Sequence, residues 1–330
     1  MYQLLRYGVA LSVALFALSA NADLQQELDN LAPGSSFELP PETLSSLAIR
    51  VPGVSVSCAP ETVIDGAGQG NAVEILAERI TFSGCQVRNW GKDLNELDTG
   101  IFVAREAQGA VVENNRLQGP AFGVWLDATP DVTVRENHIR GDTSLRSQDR
   151  GNGIHLFNTT GALIEDNDIS QTRDAIYIET ANRNTIRGNV MSDLRYGIHY
   201  MYSMHNLLEN NVTRGTRTGY ALMQSKYLKV FNNRSENDEN YGILMNFITN
   251  SELRNNVVTG VSQGQSAGVV ISGAEGKAVF IYNSLYNTFE GNYFGHSNIG
   301  IHLTAGSEEN QVFNNAFVEN QRQVKYVATR

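Results

Sequence analysis

The stretch "GIHYMYSMHNLLENNVTRGTRTGYALMQSKYLKVFNN", residues 197–233, repeats itself at a step of 22 residues. Gly197 is answered by Gly219, Ile198 by Tyr220, Tyr200 by Leu222, Leu208 by Val230 and Asn211 by Asn233. The apolar residues alternate directly after the glycine, which is the period of a strand with one buried face. A unit this short cannot bury that face alone, so it must stack on copies of itself.

The pattern extends in both directions. Cutting at the small residue gives Gly100, Gly123, Gly153, Ala175, Gly197, Gly219, Gly242, Gly268 and Gly300, with 22 as the minimal step and longer steps carrying loops. The next position reads Ile101, Val124, Ile154, Ile176, Ile198, Tyr220, Ile243, Val269, Ile301, and a second apolar column runs Val111, Val134, Ile164, Ile186, Leu208, Val230, Leu253. Fourteen residues after each cut stands an asparagine, in Asn114, Asn137, Asn167, Asn189, Asn211, Asn233, Asn256 and Asn314, with Asn292 joining despite an insertion. Asparagine tolerates left-handed backbone, and stacked amides hydrogen-bond from copy to copy, so this column reads as a structural ladder.

The expected fold is therefore all-β, a right-handed parallel β-helix of coils near 22 residues, spanning 62–330. Residues 62–75 read as its opening coil. Residues 23–61, with a short helical pattern ending at Pro33-Gly34, are expected to cap the strand edges of that coil. No matching cap precedes Arg330, so either a partner covers that end or the chain continues. An apolar run from Val9 to Leu18 followed by Ala20-Asn21-Ala22 reads as a signal peptide over 1–22, which places the mature chain in the periplasm of a Gram-negative source.

The formal charge is -10, and the loss of Arg6 with the signal makes it more negative still. An acidic chain without basic runs argues against nucleic acid as a partner. Cys58 and Cys85 are the only cysteines; export permits a bridge between them, and two buried thiols would fit the spacing equally well.

If the apolar columns point inward, the residues between them point outward. The first outward column reads Phe102, Trp125, His155, Tyr177, His199, Ala221, Leu244, Val270, His302, a binding stripe instead of a solvated face, with Trp125, His155, Tyr177 and His302 as its contact residues. The second reads Ala104, Asp127, Phe157, Glu179, Met201, Met223, Asn246, Ser272, Thr304. Met201 and Met223 should be neighbours on consecutive coils, with His199 on the same face. Thioethers and imidazole suit Cu(I), Glu179 offers a harder ligand one coil below, and Met204 and His205 can fold back from the turn. Met191 and Met245 fall on inward positions and read as core.

These coils, with "GIHL", "GIHYMYSMHN" and "NNV" behind a secretory signal, resemble the NosD family of the nitrous oxide reductase maturation system. The resemblance covers Asp65 to Asn320, and "RYGIHYMYSMHN" is its most specific piece. It implies an inner-membrane ABC transporter as partner, a membrane-anchored copper chaperone, and the supply of copper to nitrous oxide reductase. It carries no ligand motif, so the metal residues rest on the stacking argument, and the family usually continues beyond the last residue here.

The competing reading is a polysaccharide epimerase, lyase or hydrolase, with aromatic rings stacking on sugars and Asp127, Glu179 or Asp174 as acid and base. No paired-aspartate signature of pectin hydrolases accompanies them, and the "DPHD" type of epimerase signature is absent. Asp174, directly before a coil start, reads as a turn residue. A structural adhesin would tolerate the histidines and methionines without needing them. Asp65 to Gly70 lacks the lysine and helix of a phosphate loop and reads as a turn, and His138 and His296 read as surface residues. A docked transporter is expected to act on the stripe through a loop such as 142–152.

Overall fold

A computed structural model describes residues 23–262 and 275–327; the expected signal peptide, 1–22, lies outside them. The chain winds through three parallel sheets of 12 strands each, and in every sheet a strand pairs with the strand three further along. Each coil therefore gives one strand to each sheet. The first sheet begins at Ser36–Leu39, the second at Thr43–Leu44 and the third at Leu47–Ile49. The quoted stretch runs through Tyr196–Met201 in the third sheet, Leu207–Glu209 in the first, Val212–Arg214 in the second and Thr218–Met223 in the third again.

Register sets Ile198 beside Tyr220, Tyr200 beside Leu222 and Leu208 beside Val230, so the 22-residue step is the height of one coil. The recurring small residue has a steric cause. A Cβ on Gly197 would lie 2.4 Å from Thr213 Cγ2 and 2.6 Å from the Gly219 carbonyl oxygen, because the chain bends tightly there between the second and third sheets. Inside the bend, Ile101, Val124, Ile154, Ile176 and Ile198 stack in an interior almost closed to solvent, and Met191 and Met245 are buried there as expected.

The asparagine ladder stands, with two corrections. Its members are Asn115, Asn137, Asn167, Asn189, Asn211, Asn233, Asn256, Asn292 and Asn315, each side-chain oxygen accepting from the backbone N–H of the residue one coil before. Asn114 and Asn314 are not rungs. The turns after Val103 and Leu303 are one residue longer than the others, so Val112 replaces Val111 as register partner of Val134, and the Asn-Asn doublets conceal the slip. The left-handed backbone also belongs to the residue before each rung, as in Asn114 (φ 56°), Asn210 (φ 57°) and Asn314 (φ 55°), and not to the rung itself. Asn184, Asn206, Ser203 and Ser225 build parallel ladders at the corner between the third and first sheets.

A further correction concerns the coil cut at Gly268. That residue, with Val269, Val270, Ile271 and Ser272, lies outside the described residues. The strand paired with Tyr241–Asn246 is Lys277–Tyr282, so Ala278 takes the small position, and Phe280 and Tyr282 replace Val270 and Ser272 in the outward columns. "GVVISG" at 268–273 imitates a coil start through composition alone.

The solenoid also begins earlier than expected. Its first coil starts at Ser36, within the segment 23–61 that was read as cap, and residues 63–65 already belong to the second coil. The cap proper is the helix at 23–29. It lays buried Leu24 and Leu28 on the core. The Gln25 amide donates to the Ala48 carbonyl at 2.8 Å and accepts from the Ala48 N–H at 3.0 Å. A side chain thus satisfies the outer edge of the first strand of the third sheet, which would otherwise be a template for pairing. The open question of the cysteines closes as well: Cys58 and Cys85 form a disulfide between adjacent coils.

Two interior tyrosines separate packing from hydrogen bonding. Both Tyr200 and Tyr220 are fully buried in the inward columns. The Tyr220 hydroxyl reaches the carbonyl oxygens of Asn211 at 2.8 Å and Arg234 at 3.0 Å, whereas the Tyr200 hydroxyl has no partner among the described residues. Tyr220→Phe is expected to lower stability by about 1–2 kcal/mol, and Tyr200→Phe to leave it unchanged or raise it. Urea denaturation midpoints of the two variants check the contrast, and equal losses would refute it.

Candidate functional site

The outward face of the third sheet carries an almost continuous ring stack. Trp125, His155, Tyr177 and His199 are successive register partners. Their centroids are 4.0 Å apart for Trp125–His155, 4.7 Å for His155–Tyr177 and 4.5 Å for Tyr177–His199. Phe122 closes one end on Trp125 at 4.8 Å, and Tyr196 lies 5.0 Å from His199. The face is thus a packed layer in its own right, with both imidazoles buried although they point out of the coil. His302 stands apart, three register steps beyond Ala221. It packs 5.1 Å from Phe280, and burial, then the positive charges of Lys325 and Lys277, push its pKa down to about 4.

Beneath the stack lies a buried carboxylate that the sequence reading had assigned to a turn. Asp174 accepts from Arg195 Nε at 2.8 Å and Nη2 at 2.6 Å, and from His199 Nδ1 at 2.9 Å. Burial alone would raise its pKa, but the hydrogen bonds from His199 and Arg195 and the arginine charge overcome this and hold it below the usual carboxylate value. Arg195 itself lies 4.4 Å over the Tyr196 ring. Strict alternation from Ile176 places Asp174 inside. The bend at Ala175 drops that residue from the pairing, with Asp174 on Tyr196 and then Ile176 on Ile198, and this reverses the parity of the residue before it. The position preceding each small residue is therefore a third outward column, which a search on period two passes over.

The two histidines are set in opposite senses. A carboxylate accepts only, so His199 donates from Nδ1 to Asp174, and in its neutral form it presents the lone pair at Nε2, a buried atom with no hydrogen-bond partner among the described residues. His155 Nδ1 faces the Asn152 amide nitrogen at 3.2 Å and accepts there, which puts the proton on Nε2. Burial holds the His155 pKa below its ordinary value against the pull of Glu179, whose carboxylate is 3.4 Å from Nε2 without hydrogen-bond alignment. An Asp–His pair that leaves Nε2 open is the arrangement that orients an imidazole towards a metal.

In the neighbouring column, Glu179, Met201 and Met223 are successive register partners, as are Asp127 and Phe157 below them. Both methionines are half-buried. Met201 follows His199 by two residues in the strand Tyr196–Met201, so the two share a face. Met204 and His205 lie in the turn beyond the strand. Met204 bridges to Lys226 and is 41% exposed, and the His205 ring stacks on Tyr227 at 4.8 Å with 6° between planes. The structure thus brings His199, Met201, Met223 and Glu179 onto adjoining positions, and holds His205 against a tyrosine of the next turn. Among the described residues no group of three or more His, Cys, Asp or Glu is placed to hold a metal ion.

An open cleft lies elsewhere. A cavity of about 730 Å³ is lined by Arg88, Trp90, Lys92, Gln118, Asp142 and Ser144, at the corner where the second sheet turns towards the third. The loop 142–152 forms one wall of it, tied down by Arg150, which donates to the Leu145 and Gln171 carbonyls. His138 and His296 are surface residues near Asp168 and Glu319.

The family model described as "Periplasmic copper-binding protein (NosD)" matches residues 135–330, which include His155, Tyr177, His199 and both methionines but not Phe122 and Trp125. The chain belongs to the NosD family. Two curated relatives carry the name "Probable ABC transporter binding protein NosD". The one from Pseudomonas aeruginosa is 55% identical over 83% of this chain and 64% of its own length. The one from Stutzerimonas stutzeri is 49% identical over 98% of this chain and 76% of its own length. This NosD-family chain therefore spans about two thirds to three quarters of these relatives. Among solved structures it is similar to the Streptococcus pneumoniae surface protein and adhesin PfbA, with a TM-score of 0.70 at 10% identity over 93% of this chain and 96% of that one, a likeness of fold alone.

Proposed function

We propose that this chain binds Cu(I) as cargo on the outward face of its third sheet and passes it on while docked to an inner-membrane ABC transporter, in the maturation of the copper sites of nitrous oxide reductase. The observation that carries the proposal is the register pairing of Met201 with Met223 beside His199, whose Nε2 is left open by the bond from Nδ1 to Asp174. Two thioethers and one imidazole form a soft, low-coordinate donor set that suits Cu(I) and discriminates against hard cations. Half-exposed methionines on a strand rim suit a cargo that must leave again. Glu179 adds an oxygen donor at the same rim, Met204 and His205 are reserve donors from the turn, and Trp125, His155 and Tyr177 fix the His199 ring by packing. A membrane-anchored copper chaperone is the proposed donor and the reductase the recipient, with the chain exported behind residues 1–22 and without a covalent reaction of its own.

The periplasmic copper-binding description of the family and the relatives' names support this reading. The polysaccharide-enzyme reading is weaker on two counts. The ring stack that would bind sugar is closed against itself, and the open cleft is lined by other residues. The test is a Cu(I) competition titration against a chromogenic chelator, on the chain from Asp23 onward and on its Met201→Ala/Met223→Ala variant. The variant is expected to bind at least tenfold more weakly with an unchanged melting temperature. Equal affinity would remove the site, and turnover of a uronate polymer by the purified protein would favour the enzyme.

A further inference from the structure

The corner between the third and first sheets holds two left-handed residues per coil, stacked in register through the bridges Met204 to Lys226, Lys226 to Thr249 and Thr249 to Leu285. In earlier coils these positions carry residues such backbone prefers, as in Asp131, Asn158 and Gly161. Four consecutive coils depart from this. Tyr202 (φ 53°), Tyr227 (φ 55°), Phe247 (φ 56°) and Tyr286 (φ 59°) place bulky rings on left-handed backbone, where bulky side chains are disfavoured. All four are exposed, by 53%, 45%, 49% and 59%, so burial does not repay the strain.

Their arrangement is regular. Tyr202 and Phe247 occupy the first left-handed position two coils apart, and Tyr227 and Tyr286 the second position two coils apart, offset by one coil. Within each column the rings therefore repeat at about 10 Å, twice the strand spacing. The four turns, 201–206, 223–228, 246–251 and 282–287, contain no carboxylate and one cation, Lys226, on a chain whose net charge is -10. The His205 ring stacks face to face on Tyr227.

We infer that this ridge is a binding site for an extended β-linked glycan. The flat C–H face of a pyranose packs on an aromatic ring, and the rise of two sugars along such a chain is close to the height of two coils, so alternate sugars meet successive rings of one column. A rigid ladder pays little ordering entropy on binding such a ligand, and Lys226 between the columns can donate to its hydroxyl or acyl oxygens. The ridge shares the turns 201–206 and 223–228 with the copper positions, but its four rings are not among the proposed ligands.

The test uses the full mature chain, the hexamer of β-1,4-linked N-acetylglucosamine in calorimetry, and purified peptidoglycan sacculi in co-sedimentation. The hexamer is expected to bind, and the dimer to bind at least tenfold more weakly because it spans one ring. Tyr227→Asn/Phe247→Asn should weaken the hexamer at least tenfold while the melting temperature stays level or rises, since asparagine accepts left-handed backbone. Sedimentation with sacculi would identify the cell-wall polymer as the source of the glycan; hexamer binding without it would point to a soluble oligosaccharide. Absence of wild-type binding to both probes overturns the inference. So do equal affinities for dimer and hexamer, or a fall in melting temperature that accompanies lost binding and marks the rings as structural.

Discussion

Asp174→Asn is expected to destabilise the chain by about 3 kcal/mol at neutral pH, the scale for removing one partner of a buried ion pair. The carboxylate is 1% exposed and receives three hydrogen bonds, two from Arg195 and one from His199. The neutral amide can accept one or two of these but leaves the half-buried guanidinium without its counter-charge. The pH dependence follows from the direction of the shift. Asp174 is held below its ordinary value, so its contribution is fully present above the unfolded-state value near ~3.9 and is lost as pH falls through the lower folded-state value. The gap between wild type and variant in urea midpoints should therefore be widest near neutrality and narrow below about pH 4. The same substitution frees the His199 ring and is expected to weaken Cu(I) binding about tenfold or more, as loss of an orienting carboxylate does at metal-bound histidines. Equal midpoints for the two proteins at pH 7 would show that the ion pair adds nothing to the fold.

Asn189→Ala should reduce stability by about 3–5 kcal/mol, because one side chain serves several buried groups whose orphaning costs about 1–3 kcal/mol each. Its oxygen accepts from the Asn167 N–H at 3.0 Å and the Asn167 amide at 2.9 Å. Its own amide donates to the carbonyls of Ile164 and Arg187 at 3.0 Å and to the Asn211 side chain at 2.9 Å. In a solenoid each coil is stabilised chiefly by its neighbours, so a break in mid-ladder weakens two interfaces at once. Asn315→Ala removes the same chemistry from the last rung, where the side chain is half-buried and solvent can replace what is lost. Its expected loss is about 1 kcal/mol. Equal losses at the two positions would deny the ladder its role.

Most of the coil architecture was legible because each coil is a local statement repeated. A glycine or alanine at the bend, apolar residues at one and three residues after it and an asparagine at the corner between the first and second sheets recur with little interference, so Ile154, Ile176 and Ile198 announce their stacking without any long-range information. The failures arose where a constant offset was carried across a turn of different length. Asn114 and Asn314 were chosen over Asn115 and Asn315 because a single inserted residue moved the rung within a doublet. Gly268 was chosen over Ala278 because a glycine in a valine-rich segment imitates a coil start, and only strand pairing tells the two apart. Asp174 was read as a turn residue from its place directly before a coil start, and its partners Arg195 and His199 stand on the next coil, where only the fold brings them to it.

By itself the sequence determined the fold class, the height of the coil, the inward columns and the pairing of Met201 with Met223, since all of these follow from period and register. Tertiary structure alone decided the rest. It showed that the outward ring stack is buried against itself, that Asp174 and Arg195 reach under it to orient His199, that the two cysteines meet, and that Gln25 seals the first strand edge. Periodicity states which residues share a face, whereas hydrogen bonds and ring contacts between coils depend on bends and turn lengths that shift side chains by a few ångströms. The tautomer at His199, and with it the unpartnered nitrogen Nε2, rests on such a shift.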